Sequence, residues 1–183
     1  LAGPYVYPSL EASDRLFDSD VYKELADKLE AQGLKVFMPN GLFGYRHVIA
    51  TKPVRKPADL EGVTIRVPSS PIMLATFRGF GARPTELPWG DVYNALQTGV
   101  VDAAEAPFGS MVGAKLNQVR KVVSKTSHQA MFTAWVTSAT FFNSLPEDLQ
   151  TIFMEEGEKI AGELTKMTLD TDDVTIEMDL TVE

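Results

Sequence analysis

The alternation of strand-like and helix-like runs between residues 62 and 104 is the feature that most constrains the fold. Val63, Ile65 and Val67 recur at every second position, which is typical of a half-buried strand. The following run, SSPIMLATFRGFG, has serines to cap a helix, a proline for its first position and glycines to end it. GDVYNALQTG predicts another short helix and VVDAA a buried strand. Strands separated by short helices predict an α/β sheet with helical cover.

The flanking sequence predicts further elements of both kinds. SDVYKELADKLEAQG reads as a capped helix, and a longer helix is predicted after Ser144, which forms a capping box with Glu147. LKVFMP and YRHVIATK are predicted to be separate strands joined by the link NGLFG. KVVSKTS and MFTAWVTSATFF also read as strand material, and TDDVTIEMDLTVE alternates like an exposed strand. These patterns support the same α/β class.

Composition excludes several classes of function. The 183 residues contain no cysteine, which excludes disulfides, thiol catalysis and thiolate metal sites. No apolar run reaches the roughly 20 residues of a membrane span, so no membrane insertion is expected. The net charge is −8, with 12 acidic and 2 basic residues from Glu147 onward. Because the Lys and Arg residues form no dense stripe with aromatic residues, we expect no nucleic-acid partner.

The sequence also lacks the motifs of catalysis and of cofactor binding. It has no nucleophile elbow, no phosphate loop and no evident acid–base pair with a histidine. His47 and His128 have no second ligand at metal spacing, so two hydrogen-bonded histidines are the expected state. RGFGARP is half of a dinucleotide fingerprint and is read as a helix end. We therefore expect no metal, no cofactor and no enzyme.

Arg66 lies at the end of a predicted strand, close to the predicted helix start at Pro71. In open α/β sheets ligands bind beyond the carboxyl ends of strands, and a helix N-terminus favours anions. The Arg66 guanidinium and the amides around Ser69 and Ser70 are therefore predicted to meet one carboxylate. The alternative is a solvated arginine on the polar face of a strand. Strand position alone leaves both interpretations open.

The run from about Tyr45 to Gln150 shows a resemblance to a known family. GYRHVIATKPVRKPADLEGVTIRVPSS and GARPTELPWGDVYNALQTGVVDAAEAP are followed by a T-x-H element and by LPEDLQ. In this order they resemble the substrate-binding proteins of tripartite ATP-independent periplasmic (TRAP) transporters, of the DctP type. The resemblance implies a periplasmic receptor that binds a small organic acid and delivers it to TRAP membrane subunits. The alternatives are an effector-sensing domain of a regulator and an enzyme acting on small carboxylic acids.

The resemblance also implies which residues contact the ligand. Arg66 matches the arginine that pairs with the substrate carboxylate, and Arg46 matches a second arginine of the same pocket. Trp89 matches an aromatic wall, although tryptophan by itself is more often a core or rim residue. Ser69 matches a position that hydrogen-bonds ligand oxygens.

VDAAEAP departs from the G-Q-E-N-P pattern that members of the family often carry. Glu105 is kept, and it could face the ligand, pair with an arginine or orient Arg46; we favour the orienting role. Ala106 replaces the ligand-bonding asparagine, so a smaller or more apolar acid is expected. No particular substrate is therefore transferred from the family.

The fold implied by the resemblance is a periplasmic-binding-protein-like two-lobe fold of class II. Residues 1–43 would be part of lobe one and residues 44–131 lobe two. Residues 132–171 would return to lobe one and form the long helix across both lobes, and residues 172–183 would be a strand returning toward lobe two. Because the family is longer at both ends, we interpret the sequence as a fragment of an exported protein whose signal peptide is removed.

Overall fold

The computed structural model describes residues 3–177 and 181–182, and the side chains of residues 3–172. The α-helices are α1 (Leu10–Phe17), α2 (Asp20–Ala31), α3 (Pro71–Gly79), α4 (Val92–Thr98), α5 (Phe108–Gly113), α6 (Ala139–Asn143) and α7 (Glu147–Glu177). The strands are β1 (Leu34–Ala50), β2 (Thr64–Val67), β3 (Arg83–Glu86), β4 (Ala103–Pro107), β5 (Val122–Ser138) and β6 (Thr181–Val182). Short 3-10 helices lie at Pro57–Leu60, Trp89–Asp91 and Leu116–Gln118. No helix in this described part is long and apolar enough to cross a membrane.

The strands form one mixed sheet in the order β3-β2-β4-β1-β5-β6. β2 pairs in parallel with both β3 and β4, while β1 pairs antiparallel with β4. Helix α3 connects β2 to β3, and α4 connects β3 to β4. Parallel strands need such a crossover connection, which is usually a helix. The predicted α/β class is confirmed.

The chain divides into two compact units. Unit 1 contains Leu1–Val6, Gly44–Met131 and Asp170–Glu183, and unit 2 contains Tyr7–Phe43 and Phe132–Leu169. β1, β5 and α7 each contribute residues to both units. The assignment of residues to two lobes stays a prediction.

Unit 1 has an apolar cluster on each face of its sheet. Ile65, Val67 and Phe77 belong to one cluster, which also contains Val48 and Leu60. The other cluster contains Ile49, Val92, Leu96, Ala104, Ala106, Phe108 and Met111. Because side chains alternate along a strand, adjacent residues such as Val48 and Ile49 enter different clusters. The two-residue period of VTIRVP therefore places Ile65 and Val67 on one face and Arg66 on the other.

Unit 2 is held by aromatic contacts between its helices and strands. The ring centroids of Phe37 in β1 and Phe153 in α7 are 5.1 Å apart, in an edge-to-face contact. Phe17 of α1 makes the same kind of contact with Phe132 of β5, at 5.2 Å. Gly157 of α7 faces the backbone of Phe37 so closely that a Cβ atom there would lie only 1.9 Å from the Phe37 carbonyl oxygen. This close approach lets α7 lie directly on β1.

Some boundaries differ from the sequence-based expectations. LKVFMP, NGLFG and residues 45–50 form one continuous strand, β1. VVSKTS and MFTAWVTS likewise lie in one strand, β5, and α6 follows it. α1 and β3 were not predicted. Within the strand expected over residues 172–183, Thr181–Val182 form β6, but helix α7 extends as far as Glu177, because extending an existing helix costs much less than starting one. Residues 178–180 and 183 of that expected strand lie outside the described residues.

Candidate functional site

Arg66 is buried at the carboxyl end of β2. Its side chain is 3% exposed although it carries a permanent charge. The Nε and Nη2 atoms donate hydrogen bonds of 2.9 and 2.7 Å to the carbonyl oxygen of Leu87, which follows the neighbouring strand β3. Nη1 has no hydrogen-bond partner among residues 3–172. The guanidinium is thus held in place while its Nη1 amino group has no partner in the described residues.

Trp89 lies beside the same guanidinium. The Arg66 Cζ atom is 5.3 Å from the centroid of the Trp89 ring, which is within the range of a cation–π contact. Trp89 begins the short 3-10 helix after β3 and is 39% exposed. The structure therefore brings Arg66 and Trp89 together, with an open face of the indole beside a fixed cation.

The start of α3 lies five positions after Arg66. Ser70 is its N-cap, and the Ser70 side chain makes no capping hydrogen bond. Pro71 is the first helical residue, as predicted, and Ser69 is exposed. The first N–H groups of a helix have no intrahelical partner and carry a partial positive charge. The Ser69 and Ser70 hydroxyls and the first amides of α3 thus lie within a few positions of Arg66 in the chain, after the carboxyl end of β2.

The charges around Arg66 favour an anion. Burial lowers the pKa of Arg66, the carboxylate of Glu105 acts in the opposite direction, and the positive charge of Arg46 lowers the pKa again. A buried cation whose pKa is depressed lacks part of the negative charge that would balance it. A bound carboxylate would supply that charge and two oxygens that fit the guanidinium fork.

Arg46 and Glu105 form a buried ion pair. Arg46 Nε and Nη2 donate hydrogen bonds of 2.5 and 2.7 Å to the two carboxylate oxygens of Glu105. Arg46 Nη1 lies 3.1 Å from the sulfur of Met131. Every guanidinium nitrogen of Arg46 therefore has a protein partner, in contrast to Arg66. The contact agrees with two of the roles left open for Glu105, which are to pair with an arginine and to orient Arg46.

Glu105 also contacts His128, whose Nε2 lies 3.3 Å from Oε2 of Glu105. Burial raises the pKa of Glu105, but hydrogen bonds from His128 and Arg46, and their charges, outweigh that effect and leave the pKa lowered. The residue is completely buried, so the carboxylate belongs to a closed network and not to an open surface. Glu105 is thus ionised and held by two partners.

The two arginines leave the sheet on opposite faces of its carboxyl edge. Val48, two positions after Arg46, belongs to the same cluster as Ile65 and Val67, whereas Arg66 alternates with those two residues. Arg46 is opposite Pro107 at the end of β4, and Arg66 is opposite Ala104 one strand away. A ligand beyond this edge would meet Arg66 first, because only Arg66 has a nitrogen without a partner in the described residues.

Ala106 does not contribute an open surface. It is 1% exposed, is opposite His47 in the β1–β4 pairing, and packs in the cluster with Phe108 and Met111. His47 Nδ1 accepts a hydrogen bond of 3.1 Å from the backbone N–H of Ser127. No group of histidines and acids within the described residues has the arrangement of a metal site.

Sequence reasoning missed the Leu87 carbonyl that holds Arg66. A backbone oxygen carries no residue-type signal, and its position depends on the parallel pairing of Val67 with Glu86. It also missed Met131, which is 85 positions from Arg46 in the chain. Neither contact is encoded in local spacing.

Comparison with known proteins gives a consistent family. Residues 1–177 match the DctP family, described as bacterial extracellular solute-binding protein, family 7. Over 150 residues, 81% of the chain, it is 33% identical to the C4-dicarboxylate-binding periplasmic protein DctP of Rhodobacter capsulatus and covers 44% of that protein. It is 31% identical over 167 residues, 90% of the chain, to the 2,3-diketo-L-gulonate-binding periplasmic protein YiaO of Escherichia coli and covers 50% of it. The chain thus spans about half the length of these curated relatives.

A solved structure shares the fold. The TRAP periplasmic solute binding protein from Ochrobacterium anthropi, crystallised with bound L-fuconate, superposes with a TM-score of 0.87 at 31% sequence identity. The match covers 99% of this chain and 62% of that one. The two-lobe binding-protein fold expected from the sequence is confirmed by this likeness.

Proposed function

The chain belongs to the DctP family of bacterial extracellular solute-binding proteins, and on that premise we propose that the whole protein is a periplasmic receptor for a small organic acid. It would deliver this acid to the membrane subunits of a TRAP transporter. The role is binding and release without catalysis, in keeping with relatives that are named as binding proteins. Arg66, Trp89 and Ser69 would contact the ligand, and Glu105 would hold Arg46 at the same edge of the sheet.

The observation that carries this proposal is the state of Arg66. It is buried, fixed by the Leu87 carbonyl and stacked near Trp89, yet Nη1 has no partner in the described residues. Burying a charge is costly unless the charge is paired. A ligand carboxylate would complete the hydrogen bonds of the guanidinium and balance its charge.

The ligand class follows from the same chemistry. The dicarboxylate, diketogulonate and L-fuconate named for the relatives differ in size and hydroxylation but share a carboxylate. Micromolar affinity corresponds to about 8 kcal/mol, whereas one charge-assisted hydrogen bond contributes about 1.5–3 kcal/mol. Apolar contact, to which Trp89 contributes, would supply part of the remainder. We therefore propose an organic acid with a carbon skeleton that stacks on the indole.

Substitution of Arg66 tests the proposal. Arg66→Ala in the whole protein should weaken binding by about 2–5 kcal/mol, because the ligand carboxylate is left without its partner. Arg66→Lys should also bind poorly, because lysine keeps the charge but cannot hold both carboxylate oxygens. Titration calorimetry against a panel of C4-dicarboxylates and sugar acids measures the effect.

Arg78→Ala is the matched control, because Arg78 is an exposed arginine of α3 whose side chain makes no ion pair or hydrogen bond with the described residues. It should bind like the wild type. Wild-type affinity in Arg66→Ala would remove Arg66 from the site. Turnover of any bound acid would contradict the receptor role.

A further inference from the structure

Unit 1 contains a cavity of about 520 Å³ that the candidate site does not use. Its walls are mainly apolar, and its volume lies within the range of small-molecule pockets. The apolar wall residues are Val48, Val54, Pro57, Leu60, Phe77 and Phe80. All residues around it belong to unit 1, including Tyr5 at one side.

The cavity is positively charged at its margin. Lys56 and Lys125 line it, as does Arg55, which already has another interaction partner, and none of the described lining residues is an aspartate or glutamate. Asp59 lies nearby in sequence, but its Oδ2 accepts hydrogen bonds of 2.8 and 3.0 Å from the backbone N–H groups of Arg55 and Lys56. Asp59 is thus engaged with the backbone and does not line the cavity. The charge of the lining favours an anion.

The polar atoms inside the cavity are already satisfied. His128 Nδ1 is 2.9 Å from the Thr126 hydroxyl, and His128 Nε2 is 3.3 Å from Glu105. The Tyr5 hydroxyl donates to the Thr126 carbonyl at 3.1 Å. A ligand would therefore find an apolar interior and would place its charged group at the lysines.

The cavity is separate from the candidate site. Arg66, Ser69 and Trp89 are not among its described lining residues, and its link to the Arg46–Glu105 pair is His128, whose Nε2 lies 3.3 Å from Glu105. Val48, Leu60 and Phe77 belong to the cluster on one face of the sheet, whereas Arg66 leaves the sheet on the other. The proposed organic acid at Arg66 and an occupant of this cavity would not compete for contacts.

We propose that this cavity is a second binding site, for a small anion with an apolar or aromatic body. The body would lie against Val54, Leu60 and Phe80, and the sulfonate, carboxylate or phosphate group would meet Lys56 and Lys125. Charge at the margin and an apolar interior select this class over sugars, which need many internal hydrogen-bond partners.

Fluorescence titration with 8-anilinonaphthalene-1-sulfonate, an aromatic sulfonate, tests the proposal. Saturable binding at one site per chain is expected. Lys56→Gln with Lys125→Gln should weaken binding about tenfold or more, because charge-assisted hydrogen bonds are lost. Val54→Phe, which leaves all charges in place, should weaken it by filling the cavity. Lys121→Gln with Lys166→Gln, two exposed lysines outside the lining, is the matched control and should bind normally.

Arg66→Ala separates this site from the proposed function. It should weaken organic-acid binding as strongly as the proposed function predicts and leave probe binding unchanged, whereas loss of probe binding in Arg66→Ala would overturn the second site. Equal weakening in the control pair, or no saturable binding, would also overturn it. The last measurement is the same titration in the longer protein, at the full length of the relatives. Loss of binding there would show that other residues of the protein fill the cavity, and it would overturn the second site. Probe fluorescence that appears only with loss of the near-ultraviolet circular dichroism would report partial unfolding and count against the site.

Discussion

At the scale of single residues, unit 1 is governed by how its buried charges are paired. Arg46, Glu105 and His128 are each 9% exposed or less, and Glu105 contacts both of the other two. Arg66 is also buried, but its partners among the described residues are a backbone carbonyl and an aromatic ring. The Arg46 charge is therefore balanced by a paired carboxylate, whereas Arg66 has no such ion pair among the described residues.

Glu105→Gln should destabilise the fold by about 3–5 kcal/mol, because it leaves the Arg46 charge buried without its carboxylate. Urea unfolding at pH 7 measures the change. The pKa of Glu105 is lowered in the folded state, so its stabilisation is present above the ordinary carboxyl pKa of about 4.3 and is lost as the pH falls through the folded value. The difference between wild type and variant should therefore shrink in acid.

Glu86→Gln is the control for this change, because Glu86 is exposed at the end of β3. Its unfolding free energy should stay within about 0.5 kcal/mol of the wild type. A Glu105→Gln protein as stable as this control would show that the ion pair does not hold the structure.

At the scale of elements, close backbone contacts decide where the long helix lies. α7 contains Gly157 and Gly162, which have equal intrinsic costs in a helix but different surroundings. A Cβ atom at 157 would lie 1.9 Å from the Phe37 carbonyl oxygen, while at 162 it would meet nothing within 4 Å. One glycine is required by packing and the other is not.

The pair gives a matched test within one helix. Gly162→Ala should stabilise the protein by about 0.5–1 kcal/mol, because alanine is the better helix former. Gly157→Ala should destabilise it despite the same gain, because backbone atoms of β1 and α7 must move apart. Thermal and urea unfolding compare the two variants. Stabilisation by both would show that α7 does not rest on Phe37.

At the scale of the whole molecule, the buried side chain of His47 links the stability of the fold to pH. Burial lowers the pKa of His47 to about 3, and the charges of His128 and Lys125 add to this effect. The unfolded chain binds this proton near pH 6.5, whereas the folded chain does so only near pH 3. Stability contributed by the neutral His47 therefore falls as the pH drops through this window.

His47→Gln should remove that part of the acid sensitivity while keeping an acceptor for the Ser127 N–H. Between pH 7 and pH 5 the wild type should lose about 2 kcal/mol of unfolding free energy through this group, and the variant should lose correspondingly less. Urea unfolding at four pH values in this range measures the slopes. Lys121→Gln, which replaces an exposed lysine, should keep the wild-type slope, and an unchanged slope in His47→Gln would contradict the assignment.

The local patterns of the sequence were sufficient for the α/β class and for many of the helices. The cap at Ser70, Pro71 at the first position of α3 and Gly99 after α4 all lie where local rules place them. Gly99 has φ 75°, a conformation that favours glycine. β5 was harder, because Ser127 within it has φ 43°, which no residue-type signal announces.

By itself, the sequence determined the strand–helix alternation, the absence of thiol chemistry and the order of motifs that marks the family, because these depend on neighbouring residues or on composition. Only the tertiary structure decided that Arg46 is closed off by Glu105 while Arg66 keeps an unpartnered N–H in the described residues. It also decided that Gly157 must be glycine and that a basic-rimmed cavity opens beside His128. The physical reason is that charge pairing, close backbone approach and empty volume arise between residues far apart in the chain, where local propensity carries no information.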